Sequence, residues 1–201
     1  MKATNSKSQR GDSRQRILDA GYSLISLRGF SAVGLSELLG SAGVPKGSFY
    51  YYFKSKEHFG EALLDHYFCR YQQRVEALMN ASDLNAREKL LRYWQRWLEN
   101  ESGPCESERC LMVKLCAEVA DLSEAMRLRL KNGSDTVISQ LTTLLQQGQD
   151  DGSLQSLEPA ASAEALYQLW LGASLLAKVQ RSDAPLRSAM HNTRQLLQQH
   201  P

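Results

Sequence analysis

Between Leu35 and Phe53 the sequence leaves the backbone few choices. Leu35, Leu38, Leu39 and Ala42 recur at i, i+3, i+4 and i+7, the apolar stripe of a short helix. Gly43 follows as a left-handed terminator, and Pro45 suits the start of the next helix. Two short helices joined by a glycine-containing turn of about three or four residues make a helix-turn-helix. Val44 and Phe49 plug the angle between them.

The second of these helices carries Tyr50, Tyr51 and Tyr52 in succession. Consecutive residues sit about 100° apart, so the three rings fan around the helix and cannot all face a core. Phe49 and Phe53, four residues apart, share the inward face. Ser48, the phenol hydroxyls and Lys46, Lys54 and Lys56 are left outward, beside a backbone kept bare by Gly47. Hydroxyls, cations and a small residue on one exposed helix suit phosphates and base edges in a major groove.

The pattern Leu38-x3-Ala42-Gly43-Val44-x2-Gly47-x2-Tyr50-x-Tyr52-Phe53-x2-Lys56 resembles the DNA-binding signature of the TetR family of bacterial repressors, over roughly residues 12 to 66. Two positions depart from it. Gly34 stands where the family often has Ser or Thr as N-cap, a loss of about a few tenths of a kcal/mol. Leu39 stands where many helix-turn-helix units prefer Ala. The resemblance implies that Lys46, Gly47 and Tyr50 approach bases, that Tyr51, Tyr52 and Lys56 approach phosphates, and that Ser48 serves either. It also implies an all-α fold of about nine helices, with a three-helix DNA-binding domain followed by a helical bundle for dimerisation and effector sensing.

Charge is distributed accordingly. Residues 1–56 hold nine Lys/Arg against three Asp/Glu, whereas residues 57–201 hold fifteen against nineteen. A basic N-terminal unit and a mildly acidic body divide DNA contact from another task. We expect a disordered basic arm over 1–11 (Lys2, Lys7, Arg10), a helix-turn-helix domain over 12–54, and a regulatory and dimerisation domain over 55–201. No leader peptide and no run of roughly 18 apolar residues is present, so a cytoplasmic protein without a membrane span is expected. Cys69, Cys105, Cys110 and Cys116 lack the spacing of zinc sites, and free thiols are the expected state.

The rest of the chain reads as helices. Asp12 or Ser13 caps the first, which Gly29 closes, and Ser55 caps a long fourth helix. Asp83 opens another, rich in Tyr93, Trp94 and Trp97; Cys110–Val119 forms the next, and Asp121-Leu122-Ser123 restarts a helix that Gly133 interrupts. Pro159 and Pro185 begin the last two. Gly172, Ala173, Ser174 and Ala177 permit close helix approach, which fits either intrachain packing or a four-helix interface between two copies. The family resemblance favours the homodimer. Two-fold symmetry then calls for an inverted-repeat operator in double-stranded DNA, its half-sites about 34–36 Å or a multiple apart.

Nothing speaks for catalysis: no G-x-S-x-G, P-loop or H-E-x-x-H motif occurs, and none of the four histidines follows a glutamate at i−3. No cofactor or metal is called for. The regulated step is then release of DNA. Cys110 lies at a helix start beside Arg109, with Lys114 one turn on, where dipole and cations favour the reactive thiolate. Across nearly its whole length the chain resembles electrophile-responsive members of the TetR family, which implies that Cys110 is a sensor of electrophiles or oxidants. Lys178 follows Leu175-Leu176-Ala177 on an otherwise apolar helix, where an ammonium needs a partner or a lowered pKa. Three bland roles compete for it: snorkelling to solvent, pairing with a carboxylate such as Glu118, or packing. The functional one places it near Cys110 as charge partner or trapping amine. An alternative trigger is a noncovalent lipophilic or aromatic molecule among Tyr93, Trp94, Trp97, Tyr167 and Trp170, whose spacing equally suits core packing.

Overall fold

The computed structural model describes residues 4–103 and 110–198. Among these residues there are nine α-helices and no strand: α1 (Thr4–Arg28), α2 (Leu35–Ala42), α3 (Lys46–Tyr52), α4 (Lys56–Met79), α5 (Ala86–Ser102), α6 (Leu111–Val119), α7 (Glu124–Asp150), α8 (Pro159–Gln180) and α9 (Ala184–Leu196). They divide into two compact units.

The first unit comprises residues up to Cys69 together with Lys114–Leu130. It therefore takes in the first half of α4, most of α6 and the start of α7, beyond the 12–54 segment expected for DNA binding. Its α1 begins at Thr4 rather than at a cap near Asp12. Residues 4–11, expected as a disordered arm, are thus helical, and Lys2 lies outside the described residues. Once the Ile17–Ile25 stripe has nucleated a helix, each polar residue added upstream gains a backbone bond without a new nucleus. Gly29 closes α1 at φ 91°, its N–H donating to Ile25 O at 2.8 Å. Gly34 caps α2 through its backbone alone, and Gly43 ends that helix in the left-handed region at φ 62°. Pro45, extended, leads into α3, and the Ser55 hydroxyl accepts from His58 N at 3.0 Å to cap α4. Beneath these turns Phe49, Phe53 and Phe59 are buried with ring centroids 5.3–5.9 Å apart. Each such burial stabilises by ~1.5–3 kcal/mol and fixes the attitude of α3.

The second unit comprises Arg70–Val113 and residues from Lys131 on. Its α5 starts later than expected from Asp83. Asn85 accepts from Glu88 N and Glu88 accepts from Asn85 N, both at 2.9 Å, a reciprocal capping box. α7 runs unbroken through Gly133, which is buried. The core gathers Val75, Leu90, Trp94, Leu141, Leu145 and Trp170 with their neighbours. Two tryptophans find partners inside it: Trp97 donates to the Ser174 hydroxyl and Trp170 to that of Thr193, both at 2.9 Å. No helix among the described residues is long and apolar enough to cross a membrane.

Candidate nucleic-acid interface and reactive cysteine

α3 is anchored from one side only. Phe49 and Phe53 hold it inward, while Lys46, Gly47, Tyr50 and Tyr51 lie exposed and Ser48, Tyr52 and Lys56 half-buried. Tyr50 and Tyr51 keep 59% and 67% of their surface in solvent, far more than aromatic rings retain in a packing role. Tyr51 and Tyr52 brace each other edge to face at 4.9 Å, which limits the rotamers of both before any contact is made. Nothing lies within 4 Å of where a Gly47 side chain would begin, so that backbone is open to a close approach. The three tyrosines fan around α3 as their spacing requires, Tyr50 and Tyr51 exposed and Tyr52 half-buried.

Lys56 differs from its neighbours. Its ammonium donates to Ser31 O at 3.3 Å and rides 4.8 Å over the Phe30 ring. Burial pulls its pKa below the ordinary lysine value, partly offset by the Glu118 charge. The side chain is therefore occupied within its own unit.

Cys110 directly precedes α6, half-buried, and packs against the core of the second unit. Its N–H donates to the Glu101 carboxylate at 2.6 Å. Arg109 and Cys105 lie outside the described residues. Lys114, expected to favour the Cys110 thiolate from one turn on, instead donates its ammonium to Leu27 O at 2.8 Å. Tyr71 and Tyr93 are two buried phenols of this unit. Their hydroxyls are hydrogen-bonded to each other, and burial foremost, with Cys110 contributing, raises both pKa values. Among the other cysteines described, Cys69 is exposed and Cys116 half-buried, and neither is in a disulfide.

The aromatic residues considered as an effector pocket are mutually packed. Trp94 stacks on Trp170 at 5.1 Å, Trp97 meets Tyr167 at 5.8 Å, and Tyr93 lies edge-on to Trp94 at 4.6 Å. All five are buried, and Trp94 Nε1 has no hydrogen-bond partner. Lys178 lies in the last turn of α8 and is exposed, not embedded in an apolar helix. The apolar residues around it face outward as well: Leu175, Leu176 and Val179 are 55%, 50% and 73% exposed. The α8 run is apolar on two sides, and only one of them meets the chain's own core. The Glu118 carboxylate binds the Phe30 and Ser31 amides.

Comparison with known proteins accounts for this division. Residues 17–63 match the bacterial regulatory proteins of the tetR family, and residues 86–193 match the tetracyclin repressor-like C-terminal domain. The chain belongs to the TetR family. It is 43% identical over 187 residues to the HTH-type transcriptional repressor NemR of Escherichia coli K12, spanning 92% of this chain and 94% of that one. The transcriptional regulator AcuR of Cereibacter sphaeroides is 31% identical, with 87% and 80% covered. Among solved structures, the reduced form of E. coli NemR superposes with a TM-score of 0.88 at 44% identity, covering 94% of this chain and 98% of that one. A second TetR/AcrR family regulator is 46% identical with a TM-score of 0.83, covering 92% and 98%. The helix-turn-helix and the all-helical body thus belong to one TetR-family architecture.

Proposed function

We propose that this chain is a cytoplasmic transcriptional repressor that binds an inverted-repeat operator as a homodimer and releases it when Cys110 reacts with an electrophile or oxidant. The observation carrying the DNA-binding half is the exposed α3 face, on which Lys46, Gly47 and Tyr50 read bases while Tyr51, Tyr52 and the start of α4 hold phosphates. Likeness to the repressor NemR along almost the whole chain supports repression as the outcome. The exposed stripe of Leu175, Leu176 and Val179 supports pairing of two copies through α8 and α9.

For the trigger, Cys110 offers a half-buried thiol packed against the core of the second unit. Its thiolate attacks an electrophilic carbon, and the sulfur–carbon bond replaces a negative charge with bulk against the core. A two-electron oxidant such as a peroxide converts the thiolate to a sulfenic acid instead. We further propose Lys178, exposed in the last turn of α8, as the trapping group for an oxidised Cys110. Its neutral amine can displace the sulfenic hydroxyl as water, forming a sulfur–nitrogen bond.

The test is an operator titration with and without N-ethylmaleimide on the wild type and on Cys110→Ser. Loss of affinity in the wild type alone is the expected result. Equal loss in both proteins removes Cys110 from the mechanism. A second reading, induction by a noncovalent aromatic or lipophilic molecule, is favoured by the unpartnered Trp94 Nε1 within the Trp97, Tyr167 and Trp170 cluster. It requires that release persist in Cys110→Ser.

A further inference from the structure

We propose that Lys114 and Glu118, one turn apart on α6, are positioning residues for operator binding: together they clamp the corner between α1 and α2. This rests on the reading of the chain as an operator-binding protein.

The clamp uses backbone groups that the helices leave over. Glu118 spends both carboxylate oxygens on the corner, accepting from Phe30 N at 2.9 Å and from Ser31 N at 2.6 Å. These amides follow Gly29, past the end of the α1 hydrogen-bond ladder. Lys114 donates to Leu27 O at 2.8 Å, one of the four terminal carbonyls that an α-helix cannot satisfy itself. An ammonium at that end also complements the α1 dipole. Residues 114 and 118 share one helix face, so a single element supplies a cation to the carbonyl and an anion to the amides.

A second observation is independent of these bonds. A Cβ at Gly29 would lie 2.7 Å from Glu118 Oε2, and Gly29 adopts φ 91°. The turn is shaped to let the carboxylate in. The corner is then tied onward to the reading helices. Arg28 pairs with Glu37 of α2 and donates to Ala32 O at 3.1 Å, while Lys56 of α4 holds Ser31 O. A displacement of α6 therefore reaches α2 through three consecutive polar links, all within the first unit.

α6 starts at Leu111, immediately after Cys110. Any rotation or shift of that helix carries Lys114 and Glu118 with it and loosens the corner. The clamp thus holds the DNA-competent pose, and its release is the local event that weakens binding.

The experiment compares the wild type, Glu118→Ala, Glu118→Gln and Lys114→Met as full-length proteins. Amide exchange at Phe30 and Ser31, urea midpoint and operator affinity are measured, the last before and after alkylation by N-ethylmaleimide. We expect faster exchange at those two amides and operator affinity weakened about 10-fold or more, the effect of at least one lost charge-assisted bond. We also expect a smaller further loss on alkylation than in the wild type. Faster exchange with unchanged affinity and an unchanged alkylation response would overturn the proposal, leaving the clamp a local staple. Should Glu118→Ala fail to fold, Lys114→Met removes a single bond and decides the same question. A wild type that binds operator but ignores alkylation refutes the cysteine reading alone, since the affinity comparison still judges the clamp. A wild type that binds no operator overturns both.

Discussion

Tyr71 of α4 and Tyr93 of α5 join their phenol oxygens in a buried hydrogen bond, with the rings edge to face at 6.5 Å. Replacing Tyr71 with Phe removes the hydrogen-bond partner of the Tyr93 hydroxyl, an expected loss of ~1–3 kcal/mol. The double variant with Tyr93→Phe should recover much of the loss, giving a coupling of about 1 kcal/mol in a urea double-mutant cycle. Purely additive losses would show the bond to be worth nothing. Burial also raises both phenol pKa values, so spectroscopic titration should leave these two tyrosines neutral until the protein unfolds.

The outward apolar face of α8 yields a prediction about assembly. Glutamate at both Leu175 and Val179 puts charge where two copies are proposed to meet, without touching the chain's own core. Sedimentation should show a monomer at micromolar concentration with unchanged helix content. Operator affinity should fall about 100-fold, because the half-sites lose their linkage. A dimer that persists in this variant places the interface elsewhere.

How far the sequence reached depended on whether each signal was local. The helix-turn-helix was legible because Gly43 and Pro45 punctuate two apolar stripes within a few residues. The start of α5 was also local and still misplaced: Asp83 attracted attention, although Asn85-x-x-Glu88 spells the capping box. Lys178 reaches solvent, one of the roles that its apolar setting left open because apolar periodicity does not distinguish burial within a chain from burial against a second copy. Lys114 was assigned to Cys110 on spacing along α6, but its ammonium turns to a carbonyl of α1. The role of Glu118 left no trace at all. Its partners are backbone amides 88 and 87 residues away, and backbone groups have no residue type to read.

Glu118 also predicts an acid limit. Burial opposes its charge, yet the Ser31 and Phe30 amides, the Ser31 hydroxyl and Lys114 outweigh that and hold its pKa below the ordinary glutamate value. A carboxyl with a depressed folded-state pKa contributes stability that is present above its unfolded pKa and lost as pH falls through the folded one. Wild-type stability should therefore fall more steeply than that of Glu118→Gln as pH drops below about 4.5, and the gap between them should narrow. Asp151 has a depressed pKa too but is unchanged in both proteins, so the comparison isolates Glu118. Parallel curves would show that the two amides do not favour the ionised form.

Two glycines separate folding from DNA contact. A Cβ at Gly21 would sit 2.4 Å from Phe59 Cζ, and that ring is already packed against Phe49 and Phe53. The ring has no room to retreat, so Gly21→Ala should cost ~1–3 kcal/mol by overpacking. Its operator affinity, corrected for the folded fraction, should change little. At Gly47 the same methyl meets nothing within 4 Å and lies inside α3. There alanine should stabilise by roughly 0.5–1 kcal/mol through helix propensity. If α3 brings its backbone against the major groove, that methyl collides with DNA, and Gly47→Ala should bind all operators about 10-fold or more weakly despite its higher urea midpoint. A protein more stable and worse at binding can be explained only by contact at Gly47 itself. Undiminished affinity in Gly47→Ala would move the reading surface off that turn of α3 and onto Lys46 and Tyr50 alone.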